Sequence, residues 1–494
     1  MFDRMTRRRV LAGAGATLAL PRIGAAHAAA PMRLTAGTRM LEVNGRAARV
    51  YSLVDDGGRP GLTLDPGDRF NVTLQNALAE PTIIHWHGQL PDWKQDGFPW
   101  PQTPPLPAGS YKAYDFVAVP GTFWMHSHQG LQEQGLMAAP LIVRDAATVA
   151  EDRQEVVLTL HDFSFRAPDE LLAGLTKSGG MAGMAMGSMN SMQMTSGSMS
   201  DSSMSKMPMS GMSTTDMPPS GSVDLNDIGY DAFLANDRTL ADPDIVRVEA
   251  SGRIRLRVIN GASSSQFWLD LGGLTGQVVA VDGHAVRPVG GRRFPLATAQ
   301  RLDILLDLPA AGSFPIVAVL EGSDRQTGFI LATPGASVGK VADKASKMTP
   351  PVDLSLERRL SAVTPLAARA ADSRQTIVLS GAMQPYAWSL NMAAWPKVPP
   401  LMLTEGQRVE IDLINASTMA HPMHLHGHAF QVVGIGGKPV QGAVRDTVLV
   451  PPLGGQVRIA FDAGNPGRWA FHCHNLYHMM TGMMMEFRYR GIEV

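Results

Sequence analysis

The chain has 494 residues, and its 43 Lys plus Arg are balanced by 44 Asp plus Glu. That balance excludes a general nucleic-acid binder, which would carry a basic excess, and the length predicts about three domains at roughly 150 residues each. Gly (50) and Pro (35) exceed their usual combined share of about 12 %, which favours a turn-rich β protein.

Residues 1–30 read as a targeting segment rather than as fold. Thr6-Arg7-Arg8-Arg9-Val10-Leu11 resembles a twin-arginine signal, an apolar run from Val10 to Leu20 follows, and Ala26-His27-Ala28 offers a small-residue cleavage site. The run is shorter than the roughly 20 residues a membrane-spanning helix needs. The expectation is a periplasmic or otherwise exported protein using the twin-arginine route, with no membrane span.

A strand pattern then recurs three times. Leu64–Asn76, Val248–Asn260 and Leu403–Asn415 each read as a turn followed by alternating apolar residues and a terminal Asn. Phe70, Val72 and Leu74 share one face, as do Val409, Ile411 and Leu413, the period of a half-buried strand. Nine residues after each Asn the copies diverge. The first has His85-Trp86-His87-Gly88 and the third His424-Leu425-His426-Gly427, but the middle one has Leu269-Asp270-Leu271-Gly272. A second repeat places Pro120-Gly121 before His126-Ser127-His128 and Pro466-Gly467 before His472-Cys473-His474. Counting from Gly312 puts Val317-Ala318-Val319 at the matching offset. The prediction is three homologous β domains, with ligands in the outer two and none in the middle one.

Two segments interrupt this plan. Residues 176–222 lack Leu, Ile, Val and aromatics, carry 12 methionines between Met181 and Met217, and are expected to be mobile. Residues 336–371 read as a linker with some helical Ala and Leu content. The divisions are therefore 1–30 (signal), 31–148 (first domain), 149–335 (second domain with the Met-rich insert), 336–371 (linker) and 372–494 (third domain).

Ten of the 14 histidines fall into four clusters: His85 and His87; His126 and His128; His421, His424 and His426; His472, His474 and His478. In a strand, residues i and i+2 share a face, so His-x-His aims two rings at one site. The only cysteine, Cys473, cannot form an intramolecular disulfide and is a buried thiol, a nucleophile or a metal ligand. Two His, one Cys thiolate and a weak axial Met are the ligand set of a blue-copper site. Cys473, His478, Met483 and His421 supply it, whereas zinc leaves one Cys among ten His unexplained. His472 and His474 flank Cys473 and point to the opposite face, giving a short covalent path between two metal sites.

These four motifs, in this order, resemble those of three-domain multicopper oxidases over nearly the whole mature chain. The resemblance implies an all-β fold of three consecutive cupredoxin-like Greek-key β-barrels. It implies four copper ions that couple one-electron oxidations to the reduction of dioxygen to water. Carried over by motif, it gives type 1 copper to His421, Cys473 and His478 with Met483 axial, and type 2 copper to His85 and His424. One type 3 copper takes His87, His126 and His474, and the other His128, His426 and His472. An acidic residue after the first motif assists the cluster in that family; Asp96 matches it, with an ordinary Asp-Gly turn as the alternative. A carboxylate often follows the last type 1 histidine in relatives, but here that residue is Met479. His428 is expected to hydrogen-bond behind a ligand, and His161 and His284 to be structural.

The electron donor is less explicit. Thioether sulfur is soft and suits Cu(I), and Met479, Met480, Met484 and Met485 adjoin the type 1 motif. With the Met-rich insert, this resembles periplasmic copper-resistance oxidases of the CopA type. Some cuprous oxidases place Asp four residues before the first type 1 histidine; here it is Ser417. The expected partners are dioxygen and either Cu(I) or a phenolic donor, acting on a monomer. The alternative is a laccase acting mainly on phenols and aromatic amines.

Overall fold

The three repeats form the strands Phe70–Asn76, Arg253–Asn260 and Arg408–Asn415. A computed structural model describes residues 31–181 and 223–493; the expected export signal and Met-rich residues 182–222 lie outside the described residues. Each repeat strand pairs in parallel with the strand that opens its domain: Met32–Val43, Gln154–Phe163 and Ser373–Met383, respectively. Alternation buries Phe70, Val72 and Leu74 in the first copy and Val409, Ile411 and Leu413 in the third.

The terminal Asn of each repeat is a buried brace. Asn76 donates to the carbonyls of Glu80 and Leu106, Asn260 to those of Ser265 and Leu296, and Asn415 to those of Met419 and Val450. Each side-chain oxygen accepts an N–H two residues on, from Leu78, Ala262 and Ser417. The amide satisfies backbone groups that would otherwise be buried without partners. It thereby sets the loop that leads into the strand carrying His85, Leu269 or His424.

Facing each of these sheets is a second one with the same order in all three domains. In the first domain it runs Leu62–Leu64, Ala138–Val143, Gly121–Ser127, Ile84–His87. In the third it runs Leu401–Leu403, Met484–Tyr489, Arg468–Cys473, His421–Leu425, Thr447–Val450. The two sheets bury their inner faces against each other, the arrangement of a closed β-sandwich.

Register decides which residues meet. His85 pairs with His126 and His424 with His472. In the middle domain Leu269 pairs with Ala318. The counterpart of His126 is therefore Ala318, not the Val317 reached by counting from Gly312. Gly312 lies one residue further from this pair than Gly121 does, because Gly121 opens its strand, Gly121–Ser127, whereas Gly312 precedes the strand Ser313–Leu320.

The expected helical content of 336–371 is not found. The segment holds one 3-10 turn, Glu357–Arg359, in otherwise irregular chain, and Pro350-Pro351 disfavours helix before it. Val352, Leu354, Leu356 and Leu360 are buried, and the Pro350 carbonyl accepts from Trp268 Nε1 (2.9 Å). The low-complexity stretch also begins later than composition indicates. A helix, Pro168–Met181, runs into it, started by Pro at its first position with Asp169 and Glu170 in the first turn. Among the described residues, no helix is long and apolar enough to cross a membrane.

Candidate metal centre

Cys473 ends the strand Arg468–Cys473, His421 opens the neighbouring strand His421–Leu425, and His478 lies on the short helix Leu476–Met480. Asn475 caps that helix by accepting from the N–H groups of Tyr477 and His478, which turns His478 back toward Cys473. The three converge: His421 Nδ1 and His478 Nδ1 are 3.1 Å apart, and Cys473 Sγ is 3.6 Å from each. All three are buried. Met483 is also buried; its carbonyl accepts from Cys473 N–H (3.0 Å) and its N–H donates to the His478 carbonyl (2.9 Å).

The remaining eight clustered histidines come together between the first and third domains. His87, His126 and His474 form one group of three, and His128, His426 and His472 another. His85 Nε2 and His424 Nε2 are 3.4 Å apart. Rings from different domains stack in pairs, His85 on His426 (3.8 Å) and His87 on His424 (3.7 Å). The pattern follows from the strand period, because His472 and His474 point away from the face that carries Cys473.

Proton positions test whether these groups suit a metal. Carbonyl oxygens only accept, so His85 Nδ1 must donate to Asp96 O, His424 Nδ1 to Asp446 O and His472 Nδ1 to Cys473 O, each at 2.9 Å. His426 Nδ1 donates to Asp96 Oδ2 (2.8 Å). In the neutral ring the Nε2 atoms of these four histidines are then bare lone pairs. Burial, reinforced by neighbouring imidazoles, pushes His424 and His426 well below the ordinary histidine value and His472 to about 4. Facing lone pairs at 3.0 Å (His426 and His472) and 3.4 Å (His85 and His424) repel unless a cation lies between them. His128 Nε2, buried without a hydrogen-bond partner, fits the same reading. At the Cys473 group, His421 Nε2 contacts Ser417 Oγ (2.7 Å) and His478 Nε2 contacts Asp227 (3.4 Å), which leaves both Nδ1 atoms free toward the thiol. Burial pushes the Cys473 thiol far up, so the thiolate needs a cation beside it.

Several residues that fix this geometry were not legible in the sequence. Ser417 holds His421. Asp227, buried, also accepts from Asn475 Nδ2 (2.5 Å) and Tyr386 OH (3.1 Å). Glu133 Oε2 lies 2.7 Å from His126 Nδ1, and burial raises its carboxyl well above the usual range. Asp446 accepts from His87 Nε2 (3.0 Å). The one available signal was Glu133, a charge between residues that read as buried, five positions after His128. Among the expected residues, Asp96 faces His426, with its carbonyl on His85. Gly97 is required beside it, because a Cβ there would come within 1.8 Å of the Ile84 carbonyl. His428 donates from Nδ1 to the His426 carbonyl (3.1 Å) and meets Tyr489 OH through Nε2 (2.6 Å). His161 bonds the Gly261 carbonyl (2.9 Å) away from both sites.

Comparison with known proteins agrees with this architecture. Three multicopper oxidase domains match residues 40–148, 191–333 and 370–491. The chain is 30 % identical to the multicopper oxidase MmcO of Mycobacterium tuberculosis, over 87 % of this chain and 81 % of that protein. It is 26 % identical to copper resistance protein A of Escherichia coli, over 96 % and 95 %. Among solved structures, Fet3p, a multicopper oxidase that functions in iron import, superposes with a TM-score of 0.73 at 20 % identity, covering 93 % of this chain and 90 % of that one. The chain belongs to the multicopper oxidase family, copper enzymes that couple one-electron oxidation of a donor to the four-electron reduction of dioxygen to water.

Proposed function

We propose that this protein is an exported, periplasmic cuprous oxidase of copper tolerance that holds four coppers. His421, Cys473, His478 and Met483 would hold the type 1 ion, and His85 and His424 the type 2 ion. His87, His126 and His474 would hold one type 3 ion, and His128, His426 and His472 the other. The observation that carries the assignment is the set of buried imidazole lone pairs facing one another at 3.0–3.5 Å. When bound, the coppers supply single-electron steps on one side and dioxygen reduction on the other.

The chain's own groups do the rest. Cys473 joins the two sides covalently through its neighbours His472 and His474. Asp96 Oδ2 keeps the Nδ1 proton of His426, which holds that ring's Nε2 toward the cluster. Its Oδ1, 3.2 Å from His85 Nδ1, is a buried oxygen without a hydrogen bond and is suited to carry a proton. Trp388 lies 4.0 Å from the His478 ring and walls that side from water.

Copper(I) as donor is supported by the anchoring of the Met-rich segment. On one side, the helix Pro168–Met181 packs against the strand Tyr386–Leu390, which carries Trp388. On the other, Asp224 bonds Thr418 and Asp227 bonds His478. Both described flanks therefore contact elements or residues that adjoin the type 1 ligands. Oxygen uptake by copper-loaded protein, with Cu(I) and then a simple phenol, tests the reading. Faster uptake with Cu(I), depressed by removing residues 178–219 while phenol oxidation is retained or raised, is expected. Faster uptake with the phenol would assign a laccase instead, and equal loss with both donors would count against copper recruitment by the segment.

A further inference from the structure

The middle domain has lost its histidines, yet one of its side chains reaches the proposed trinuclear site. Arg301 opens the strand Arg301–Asp307 and is fully buried. Its Nη1 donates to Asp446 Oδ1 (2.8 Å) and its Nη2 to Asp446 Oδ2. Asp446 belongs to the third domain, and its Oδ1 accepts from Nε2 of His87, in the first domain, at 3.0 Å. One carboxylate thus joins all three domains at a single proposed copper ligand.

His87 is reversed relative to its neighbours. His85, His424, His426 and His472 turn Nδ1 outward and Nε2 inward. His87 instead sends Nε2 outward to Asp446 and Thr447 and turns Nδ1 to within 3.5 Å of His126 Nε2. A carboxylate already held by a guanidinium fork can only accept, so His87 must carry its proton on Nε2 and present a bare Nδ1. Resting on the copper assignment above, we infer that Arg301 and Asp446 are a positioning pair through which the ligand-free middle domain sets the ring orientation of His87.

The surroundings are built to hold this pair. Arg301 Nη1 also donates to the Ala299 carbonyl (2.8 Å) and Nε to the Thr122 carbonyl (3.3 Å). Asp282 accepts from Arg301 N–H (2.9 Å) and, through its other oxygen, from Arg445 Nε (2.9 Å); Arg445 in turn pairs with Glu357. Charges alternate along this buried chain, so neither guanidinium is left uncompensated. Gly88, at φ +86°, makes room: a Cβ there would sit 2.5 Å from Phe123 Cδ1, 2.6 Å from Asp446 Oδ2 and 2.9 Å from Arg301 Nη2. The glycine of the third-domain motif, Gly427, makes room for the Trp469 ring.

The test uses full-length, copper-loaded Arg301→Lys, which keeps the charge and loses the fork, and Asp446→Asn, which keeps the shape. Gly88→Ala, which changes no charge, crowds the same contact. All three should keep the blue type 1 absorption and its potential. They should lose the near-ultraviolet band of the coupled type 3 pair, with copper affinity there reduced roughly ten- to hundredfold. Wild-type copper content and an unchanged near-ultraviolet band in the variants would overturn the inference. So would parallel loss of the blue band, which marks general unfolding. Failure of the wild-type protein itself to show the type 3 band would instead bring down the copper assignment, and this inference with it.

Discussion

His426 and His472 approach Nε2 to Nε2 at 3.0 Å, while Asp96 and the Cys473 carbonyl occupy their two Nδ1 protons. Two neutral imidazoles gain nothing from that approach. The fold enforces it by pairing the strands His421–Leu425 and Arg468–Cys473 with His424 opposite His472. The backbone thus holds the two rings in the arrangement that the proposed copper site needs, and removal of individual groups should separate binding from turnover.

Cys473→Ser removes the thiolate that defines the proposed type 1 site. The variant should lose the blue absorption and donor oxidation while retaining copper in the histidine cluster, read by metal analysis and visible spectroscopy. A blue, active variant would contradict the ligand set.

Asp96 has two separable roles. Asp96→Ala leaves the buried His426 Nδ1–H without an acceptor, and copper affinity of the cluster should fall roughly ten- to hundredfold. Asp96→Asn keeps an acceptor oxygen but cannot hold a proton. It should retain copper and slow dioxygen reduction by about 10²–10⁴. Oxygen uptake set against metal content distinguishes the two; a fully active Asn variant would leave Asp96 only as the acceptor that holds His426.

Ser417 occupies the position where some cuprous oxidases carry Asp, and its hydroxyl braces His421 Nε2 at 2.7 Å. Ser417→Ala should cost about 1–3 kcal/mol by stranding a buried donor. It should also shift the type 1 potential, because an imidazole partner tunes ligand basicity. Redox titration beside urea unfolding checks both; an unmoved potential would limit Ser417 to packing.

Acid should unfold the copper-free protein early. Burial lowers His428 and His472 to about 4, against roughly 6.5 in the unfolded chain. The folded state therefore binds fewer protons. Stability is complete above the unfolded value and is lost as pH falls from about 6.5 toward 4, by about 3 kcal/mol per histidine. The urea midpoint of the copper-free protein should fall steadily between pH 7 and 5, and copper loading should flatten that slope. A pH-independent midpoint would mean these rings are not buried neutral.

Local spacing made much of this molecule readable. The His-x-His pairs needed only the two-residue strand period to become candidate ligands, and the triple repeat with its terminal Asn announced three domains. The apolar middle copy left candidate ligands in the outer two only, although its register was off by one residue because Gly312 precedes its strand whereas Gly121 opens its own. Helical content in 336–371 was misread because Leu354, Leu356 and Leu360 are buried by neighbouring domains, not by a helix of their own.

By itself the sequence determined the candidate ligand types, their clustering along the chain and the strand faces that carry them, because those follow from chemistry and from periods of a few residues. Only the tertiary structure decided which groups close around one point and which proton each ring carries. Asp446 meets His87 across 359 residues and Asp96 meets His426 across 330. No local pattern encodes such pairings: they exist because three domains bury their polar groups against one another, and a buried carboxylate must find donors wherever the packing brings them.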